Sequence, residues 1–225
     1  GKAHRLPNAA DANHFRRVLA GNEDASMESF SAAVANPARV PPELASVRGP
    51  VLLYGGATYQ WFDTDLFLEL ASARPDWTFA FVGPTMGRLA QGGLPPNVLP
   101  VGRRSYEDFP WYIAAADVAI MPWKDDAITR NADPIGLFEY LLCGKPVVAS
   151  PFPAALERGG LVRIAKTAAE FAGSIEEALE ENRSGDAAAA RMRFGFENTW
   201  ENRAQQALEI IAGAREARSG GGGRV

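Results

Sequence analysis

The chain contains few of the residues that build disulfides or metal centres. Its single cysteine, Cys143, has no partner for an internal disulfide and lies in an apolar stretch, where we expect it to pack in the core of a protein from a reducing compartment. Its two histidines, His4 and His14, both lie in the N-terminal segment. The main body of the chain therefore has no histidine for a catalytic triad or a multi-histidine metal site.

Long runs of one residue class are also missing. No apolar run approaches the roughly 20 residues that cross a bilayer, and the N-terminus lacks the pattern of a signal peptide. No long basic run occurs, and the net charge is -4, which argues against nucleic acid as a main partner. These absences lead us to expect a cytoplasmic protein that does not bind nucleic acid.

What is present is a regular alternation of apolar runs and helix-periodic segments. With 225 residues, 47% of them hydrophobic, the chain can bury the core of one domain of ordinary to large size. Short β-branched or aromatic runs predict six strands, at 51–54, 77–84, 97–102, 118–123, 147–149 and 161–165. Helical patterns between them predict an α/β fold: a doubly wound, mostly parallel, Rossmann-like sheet of about six strands, with ligands at the carboxyl ends of the strands.

Three regions are expected along the chain. Residues 1–48 form an N-terminal segment with a short helix and loops, and residues 49–218 form the Rossmann-like domain with a C-terminal helical extension that is broken at Ser184-Gly185. Residues 219–225, which include four consecutive glycines, are expected to be a flexible tail.

The stretch 131–150 predicts a loop, a helix, a tight turn and a buried strand in succession. Asp133 is a good N-cap and Pro134 a good first helical residue, while Gly144 ends the helix in the left-handed conformation. Glu139, the only charge of this helix, falls at the edge of an apolar stripe when residues are placed at about 100° intervals. There it could accept hydrogen bonds from two sugar hydroxyls while the helix N-terminus holds phosphates. The alternative is a solvated glutamate on an amphipathic helix. The stripe comprises Pro134, Ile135, Phe138, Leu141 and Leu142.

These residues resemble the signature of the GT-B nucleotide-sugar glycosyltransferases, in particular the retaining family four, or group one, transferases. The run 139–149 matches the Glu of that signature and the small-Gly-x-Pro-Val-Val-Ala that follows it. Asn131 stands eight residues before Glu139, where the family usually has Glu. The run 133–141 is similar to the Asn-Pro-Leu-Lys-Leu-Phe-Glu-Tyr-Leu of a bacterial polysaccharide-synthesis branch, with Gly136 in place of the Lys.

The resemblance implies a role for each residue of this stretch. Glu139 would hold the ribose hydroxyls of a nucleotide-sugar donor, and Asn131 or Asp133 would face the sugar as the catalytic residue. The residues expected to meet the diphosphate are Arg130, Ile135 and Gly136.

Two further loops follow predicted strands. Gly55 and Gly56 end the first strand, and a glycine turn of this kind lets backbone N–H groups approach a phosphate closely. The family often adds Arg and Lys here; residues 57–61 supply neither, so Arg130 or Lys124 would have to replace them. The segment after the third strand resembles the family's base-contacting loop, which makes Arg103, Arg104 and Tyr106 candidates for the base pocket. The alternative is a basic surface turn capped by Ser105.

The resemblance extends from Pro7 to Arg203. Residues 6–15 resemble the crossover between the two GT-B domains, and residues 198–203 resemble the Trp-x-x-Arg that begins the last helix. The chain is therefore expected to be the donor-binding half of an enzyme whose acceptor-binding N-terminal domain is missing. That domain would make any peripheral contact with a membrane.

The implied activity is transfer of a hexose from a nucleotide-diphosphate sugar to a glycan or lipid-linked acceptor, with retention and without a metal or other cofactor. The isolated domain should bind donor and not turn it over. Two alternatives stay open: a non-catalytic nucleotide-binding or partner-binding module, and a GT-B-type sugar-nucleotide epimerase. The residues do not identify the base, the sugar or the acceptor.

Overall fold

The central element of the fold is one parallel β-sheet. The computed structural model describes residues 3–181 and 186–220. Within them the strands are β1 Val51–Gly55, β2 Thr78–Val82, β3 Val98–Gly102, β4 Val118–Met121, β5 Val147–Ala149 and β6 Val162–Ile164. Every neighbouring pair runs parallel, in the order β3-β2-β1-β4-β5-β6. The predicted doubly wound sheet is thereby confirmed.

Helices cover both faces of this sheet. In the described residues they are α1 Ala12–Ala20, α2 Met27–Ala35, α3 Thr64–Ala73, α4 Phe109–Ala115, α5 Ile135–Leu142, α6 Pro153–Leu156, α7 Ala168–Glu181, α8 Asp186–Glu197 and α9 Trp200–Gly220. The N-terminal segment thus holds two helices where one was expected. The predicted break at Ser184-Gly185 and residues 221–225 of the predicted tail lie outside the described residues. No helix of the described part is long and apolar enough to span a bilayer.

Successive side chains of a strand point to opposite faces of the sheet, and the apolar ones form two clusters, one on each face. Leu53 packs with the cluster that includes residues of α1, α2, α5 and α8, whereas Leu52 packs on the opposite side with residues of α3 and α7. Burial on both faces explains why the strands read as continuous apolar runs. Phe15 of α1 and Phe30 of α2 belong to the first cluster, so the N-terminal segment shares a core with the sheet. Where the domain boundary lies stays a prediction.

The strand order decides where a ligand can enter. The crossover through α3 takes the chain from β1 outward to β2 on one face, and the crossover through α5 takes it from β4 outward to β5 on the other. Because β1 and β4 are neighbours, the two crossovers diverge between them and leave a crevice at their carboxyl ends.

The first and last parts of the described chain are joined at one point. The N–H of Ala10 donates to the Asn198 carbonyl at 3.1 Å, and the N–H of Trp200 donates to the Ala10 carbonyl at 3.2 Å. The Arg203 Nε donates to the Pro7 carbonyl at 3.1 Å. The segment before α1 is therefore held against the start of α9.

Candidate functional site

A cleft of about 650 Å³ opens at the carboxyl ends of β1, β2 and β3. This volume lies within the range of small-molecule sites. The loop after β1, the loop after β3 and the first turns of α5 form its walls. Eight of the predicted site residues line it: Gly55, Gly56, Arg103, Arg104, Tyr106, Ile135, Gly136 and Glu139.

The start of α5 differs by one residue from the prediction. Pro134 is the N-cap and Ile135 the first helical residue, so the prediction of Asp133 as N-cap is wrong. The Asp133 carboxylate is occupied elsewhere: its Oδ2 accepts from the Asn8 N–H at 2.8 Å, and its Oδ1 lies 3.3 Å from the Arg158 guanidinium. At the other end Gly144 has φ of 67°, the predicted left-handed stop.

Helix α5 is not amphipathic, because it is enclosed on nearly every side. Leu137 and Tyr140, outside the predicted stripe, are buried, whereas Ile135 of the stripe is 43% exposed. Helix α8 packs directly on α5: a Cβ added to Gly195 would lie 2.3 Å from the Leu142 Cα. Glu139 is only 5% exposed, so the alternative of a solvated glutamate is wrong.

The Glu139 carboxyl is a buried acid at the wall of the cleft. Burial raises its pKa to about 7, since the charged form loses solvation, and the nearby Asp11 adds to the rise. The Tyr106 hydroxyl donates to Glu139 Oε1 at 3.1 Å and opposes the rise. Burial and the carboxylate raise the pKa of Tyr106, so its hydroxyl stays a donor. The Glu139 carboxyl therefore takes up a proton more readily than an ordinary glutamate.

His14 is the residue of this site that the sequence did not reveal. Its ring stacks on Tyr106 at 4.2 Å between centroids, with 12° between the planes. The Arg17 guanidinium lies 3.1 Å from His14 Nδ1 and can only donate, so Nδ1 accepts and Nε2 carries the proton. Nε2 then donates to the Tyr106 carbonyl at 3.0 Å. His14 thus holds the loop after β3 in place. No local pattern links residues that lie 92 positions apart.

The glycine turn after β1 is a tightly packed corner. The N–H of Gly55 donates to the Tyr140 hydroxyl at 2.7 Å, and the N–H of Gly56 donates to the Val82 carbonyl at 2.9 Å. A Cβ on Gly55 would lie 2.4 Å from the Phe109 ring, and one on Gly83 would lie 2.2 Å from the Gly56 carbonyl oxygen. Both N–H groups are thus engaged within the protein. The cleft's backbone donors lie instead at the start of α5, where the first N–H groups of a helix lack intrahelical partners.

The two arginines of the loop after β3 differ in their surroundings. Arg104 donates from Nε to the Tyr112 hydroxyl at 2.9 Å and pairs with Glu43, so it ties the loop to the protein. Arg103 is exposed, and in the part of the chain that the structure describes its side chain has no hydrogen bond or ion pair. The Ser105 hydroxyl accepts from the N–H of Asp108 at 3.1 Å, which is the capped turn named as the alternative. Arg103 is therefore the available cation of this wall.

Three predicted residues lie outside the cleft. Arg130, Asn131 and Asp133 line a separate cavity of about 390 Å³. Arg130 pairs in bidentate fashion with Asp125, at 2.7 and 3.0 Å, so its guanidinium is satisfied on the surface. The Asn131 amide donates to the Ala127 carbonyl at 2.8 Å. The exposed Lys124 lines neither cavity. The structure thus does not bring these cations to the cleft, and the roles proposed for the three residues stay predictions.

Residues 49–181 match the family model described as Glycosyl transferases group 1. Among curated proteins, the putative teichuronic acid biosynthesis glycosyltransferase TuaH of Bacillus subtilis (strain 168) is 37% identical over 109 residues. The match covers 47% of this chain and 28% of that protein. The chain thus aligns with less than a third of its curated relative.

Solved structures share the fold at low identity. Anabaena Alr3699/HepE in complex with UDP and glucose has a TM-score of 0.58 and 18% identity, over 92% of this chain and 63% of that one. The sucrose-phosphate synthase of Thermosynechococcus elongatus has a TM-score of 0.61 and 16% identity, over 96% and 54%. For WaaG, a glycosyltransferase involved in lipopolysaccharide biosynthesis, the values are 0.59 and 17%, over 92% and 56%.

Proposed function

The chain belongs to the group 1 glycosyl transferases, and on that premise we propose that it is the donor-binding C-terminal half of a retaining GT-B enzyme. This enzyme transfers a hexose from a nucleotide-diphosphate sugar to a glycan or lipid-linked acceptor in the cytoplasm. The observation that carries the proposal is the buried Glu139, which lines a cleft at the start of α5 together with seven other predicted residues.

The spacing along α5 matches the parts of a nucleotide. Glu139 lies four residues after Ile135, about 6 Å along the helix axis. Ribose hydroxyls on the carboxylate therefore leave the diphosphate close to the free N–H groups of the helix start, where an anion is favoured. Arg103 adds an available positive charge to the same cleft. The base would then lie against the loop 103–106, with Tyr106 as its aromatic wall.

The chemistry of the donor half is electrostatic. When the bond between sugar and diphosphate breaks, negative charge develops on the leaving group, and preorganised N–H groups and a cation stabilise it. In this proposal no metal or other cofactor takes part. The acceptor and its binding residues belong to the other half of the enzyme, so the chain alone binds donor without transferring it.

The relatives support this assignment by what their names record. TuaH is named as a glycosyltransferase of teichuronic acid biosynthesis, and HepE was solved with UDP and with UDP-glucose. Uridine nucleotides are therefore the first ligands to test. The single cysteine, buried in the core, is consistent with the proposed cytoplasmic location.

The test is calorimetric titration of the purified chain with UDP and GDP, in parallel with a Glu139→Ala variant. We expect one nucleotide to bind and the variant to lose tenfold to a hundredfold in affinity, because a charged hydrogen-bond acceptor is worth about 1.5–3 kcal/mol. Glu177→Ala, at an exposed glutamate of α7, is the matched control. Absence of binding by both nucleotides contradicts the proposal. Equal binding to the Glu139→Ala variant contradicts the role of Glu139.

Two observations favour a second candidate, a non-catalytic nucleotide-binding or partner-binding module. Asn131 stands in place of the signature Glu and lines a different cavity, and the loop 57–61 carries no basic side chain. Tight binding of a sugar nucleotide by the complete native polypeptide, with neither transfer nor hydrolysis, would favour this candidate over the transferase. The epimerase alternative is set aside because the chain belongs to a transferase family.

A further inference from the structure

The cleft adjoins a second cavity, of about 310 Å³, which is distinct from the 390 Å³ cavity that Arg130, Asn131 and Asp133 line. The two share Gly55, Gly56, Ala57 and Gly136, so they meet beside the first turn of α5. The second cavity lies at the carboxyl ends of β1 and β4, the point where the two crossovers diverge. A nucleotide whose ribose lies on Glu139 and whose diphosphate lies at the helix start would direct its sugar into this second cavity. This step rests on the proposed function.

The lining of the second cavity is strongly apolar. Its floor and walls are made by Trp61, Met121, Trp123, Ile128, Ala132 and Pro134. Two of these side chains pack on neighbouring rings: Trp123 lies 4.7 Å from Phe152 and Trp61 lies 5.1 Å from Tyr59, between ring centroids. We call this space the tryptophan chamber.

The polar side chains of the tryptophan chamber already have partners. The Tyr54 hydroxyl donates to the Ala57 carbonyl at 3.1 Å and accepts from Trp123 Nε1 at 3.4 Å. The Thr129 hydroxyl donates to the Lys124 carbonyl at 2.6 Å and accepts from the N–H of Asp126 at 3.0 Å. Away from the first turn of α5, a sugar hydroxyl buried against these side chains would lose its water without gaining a strong partner, which is unfavourable.

We propose that the tryptophan chamber binds a methyl-bearing substituent of the donor sugar and so selects N-acetylated or 6-deoxy hexoses over fully hydroxylated ones. A methyl group placed against Trp61 and Trp123 leaves water for an apolar surface, and the C–H face of the ring packs on the indoles. One extra methyl group in a hydrophobic pocket discriminates by roughly tenfold or more. The selected feature is the methyl group, and comparison of an N-acetylated with a 6-deoxy sugar nucleotide shows at which position the chamber receives it.

The test measures affinities of the purified chain for UDP, UDP-glucose, UDP-N-acetylglucosamine and UDP-6-deoxyglucose. We expect at least one methyl-bearing sugar nucleotide to bind about tenfold more tightly than UDP-glucose. An advantage of the N-acetyl compound places the substituent at the amino position, and an advantage of the deoxy compound places it at C6. UDP-glucose binding as tightly as both overturns the inference.

Variants locate the effect in the chamber. Trp61→Ala should abolish the preference, judged by the ratio of sugar-nucleotide to UDP affinity measured on the same variant. Ile128→Ser, at a lining residue that is 42% exposed, should reduce this ratio without disturbing the core, and it replaces Trp61→Ala if that variant fails to fold. Trp200→Ala, at a tryptophan 41% exposed at the start of α9, is the control and should keep the preference. An unchanged ratio in both chamber variants overturns the inference. If only GDP binds, the same comparison is made with GDP-glucose and its methyl-bearing counterparts. If neither UDP nor GDP binds, the proposed function falls and the inference with it.

Discussion

The burial of Glu139 has a measurable consequence for stability. The pKa of this carboxyl is about 7 in the folded chain, against an ordinary value of 4.5, mainly because the folded protein removes it from water. Between these two pKa values the folded state keeps a proton that the unfolded state releases. The free energy of unfolding contributed by Glu139 therefore falls as the pH rises from about 4.5 and levels off above about 7.

The magnitude follows from the size of the shift. Each pKa unit corresponds to 1.36 kcal/mol, so the ionised Glu139 costs the fold roughly 3 kcal/mol well above pH 7 and roughly 1 kcal/mol at pH 5.5. Glu139→Gln removes the ionisation while its amide oxygen can still accept from the Tyr106 hydroxyl. The stability gained by the substitution should therefore be about 2 kcal/mol larger at pH 8.5 than at pH 5.5.

The assay is urea denaturation of the parent chain and of Glu139→Gln at both pH values, followed by circular dichroism. The difference in unfolding free energy between the two proteins is compared across pH, so that all other titrating groups cancel. Glu177→Gln, at an exposed residue of α7, is the control and should show no such dependence. A gain from Glu139→Gln that is the same at pH 5.5 and pH 8.5 would refute the claim that burial raises this pKa.

Two further pairs of variants test the walls of the cleft. Gly83→Ala should lower the melting temperature severely, because its Cβ would lie 2.2 Å from the Gly56 carbonyl oxygen and the φ of Gly83 is 146°. Gly136→Ala should melt like the parent chain, because no atom lies closer than 3.8 Å to its Cβ. Similar melting of the two variants contradicts this difference in packing. Arg103→Ala should weaken UDP binding about tenfold without changing the melting temperature, because an exposed, unpaired cation contributes to the ligand alone. Arg104→Ala should lower stability by about 1–2 kcal/mol in thermal denaturation, because Glu43 and Tyr112 lose their partner. Lost stability in Arg103→Ala together with lost UDP affinity in Arg104→Ala would exchange the roles of the two arginines.

Much of the fold was predictable from local patterns. All six strands fall within the predicted ranges or extend one residue beyond them. Runs of β-branched and aromatic residues favour strands, and a following glycine or proline marks where such a strand ends. The Thr167 hydroxyl accepts from the N–H of Glu170 at 3.2 Å, and the Glu170 carboxylate accepts from the N–H of Lys166 at 2.7 Å, an arrangement close to the capping box that the Thr-x-x-Glu spacing favours. Such features depend on residues a few positions apart, and one sequence suffices to show them.

The candidate site was predictable only in part. The loops that line the cleft follow strand ends, and parallel strands bring their carboxyl ends to one edge, so Gly55, Arg103 and Glu139 could be placed together. The prediction for Asp133 as N-cap failed because its partner Asn8 lies 125 residues away. His14 was missed for the same reason, since its contact with Tyr106 joins α1 to a loop distant in sequence.

The sequence alone determined the six strands and their order along the chain, the glycine that ends α5 and the family of the chain, because each follows from short-range patterns of side chains. Only the tertiary structure decided that Glu139 is buried, that Arg104 is a structural residue while Arg103 is available, and that a tryptophan chamber adjoins the cleft. These properties arise where α8 closes over α5 and where separate loops meet, and packing between distant segments sets the solvation and the partners of each polar group.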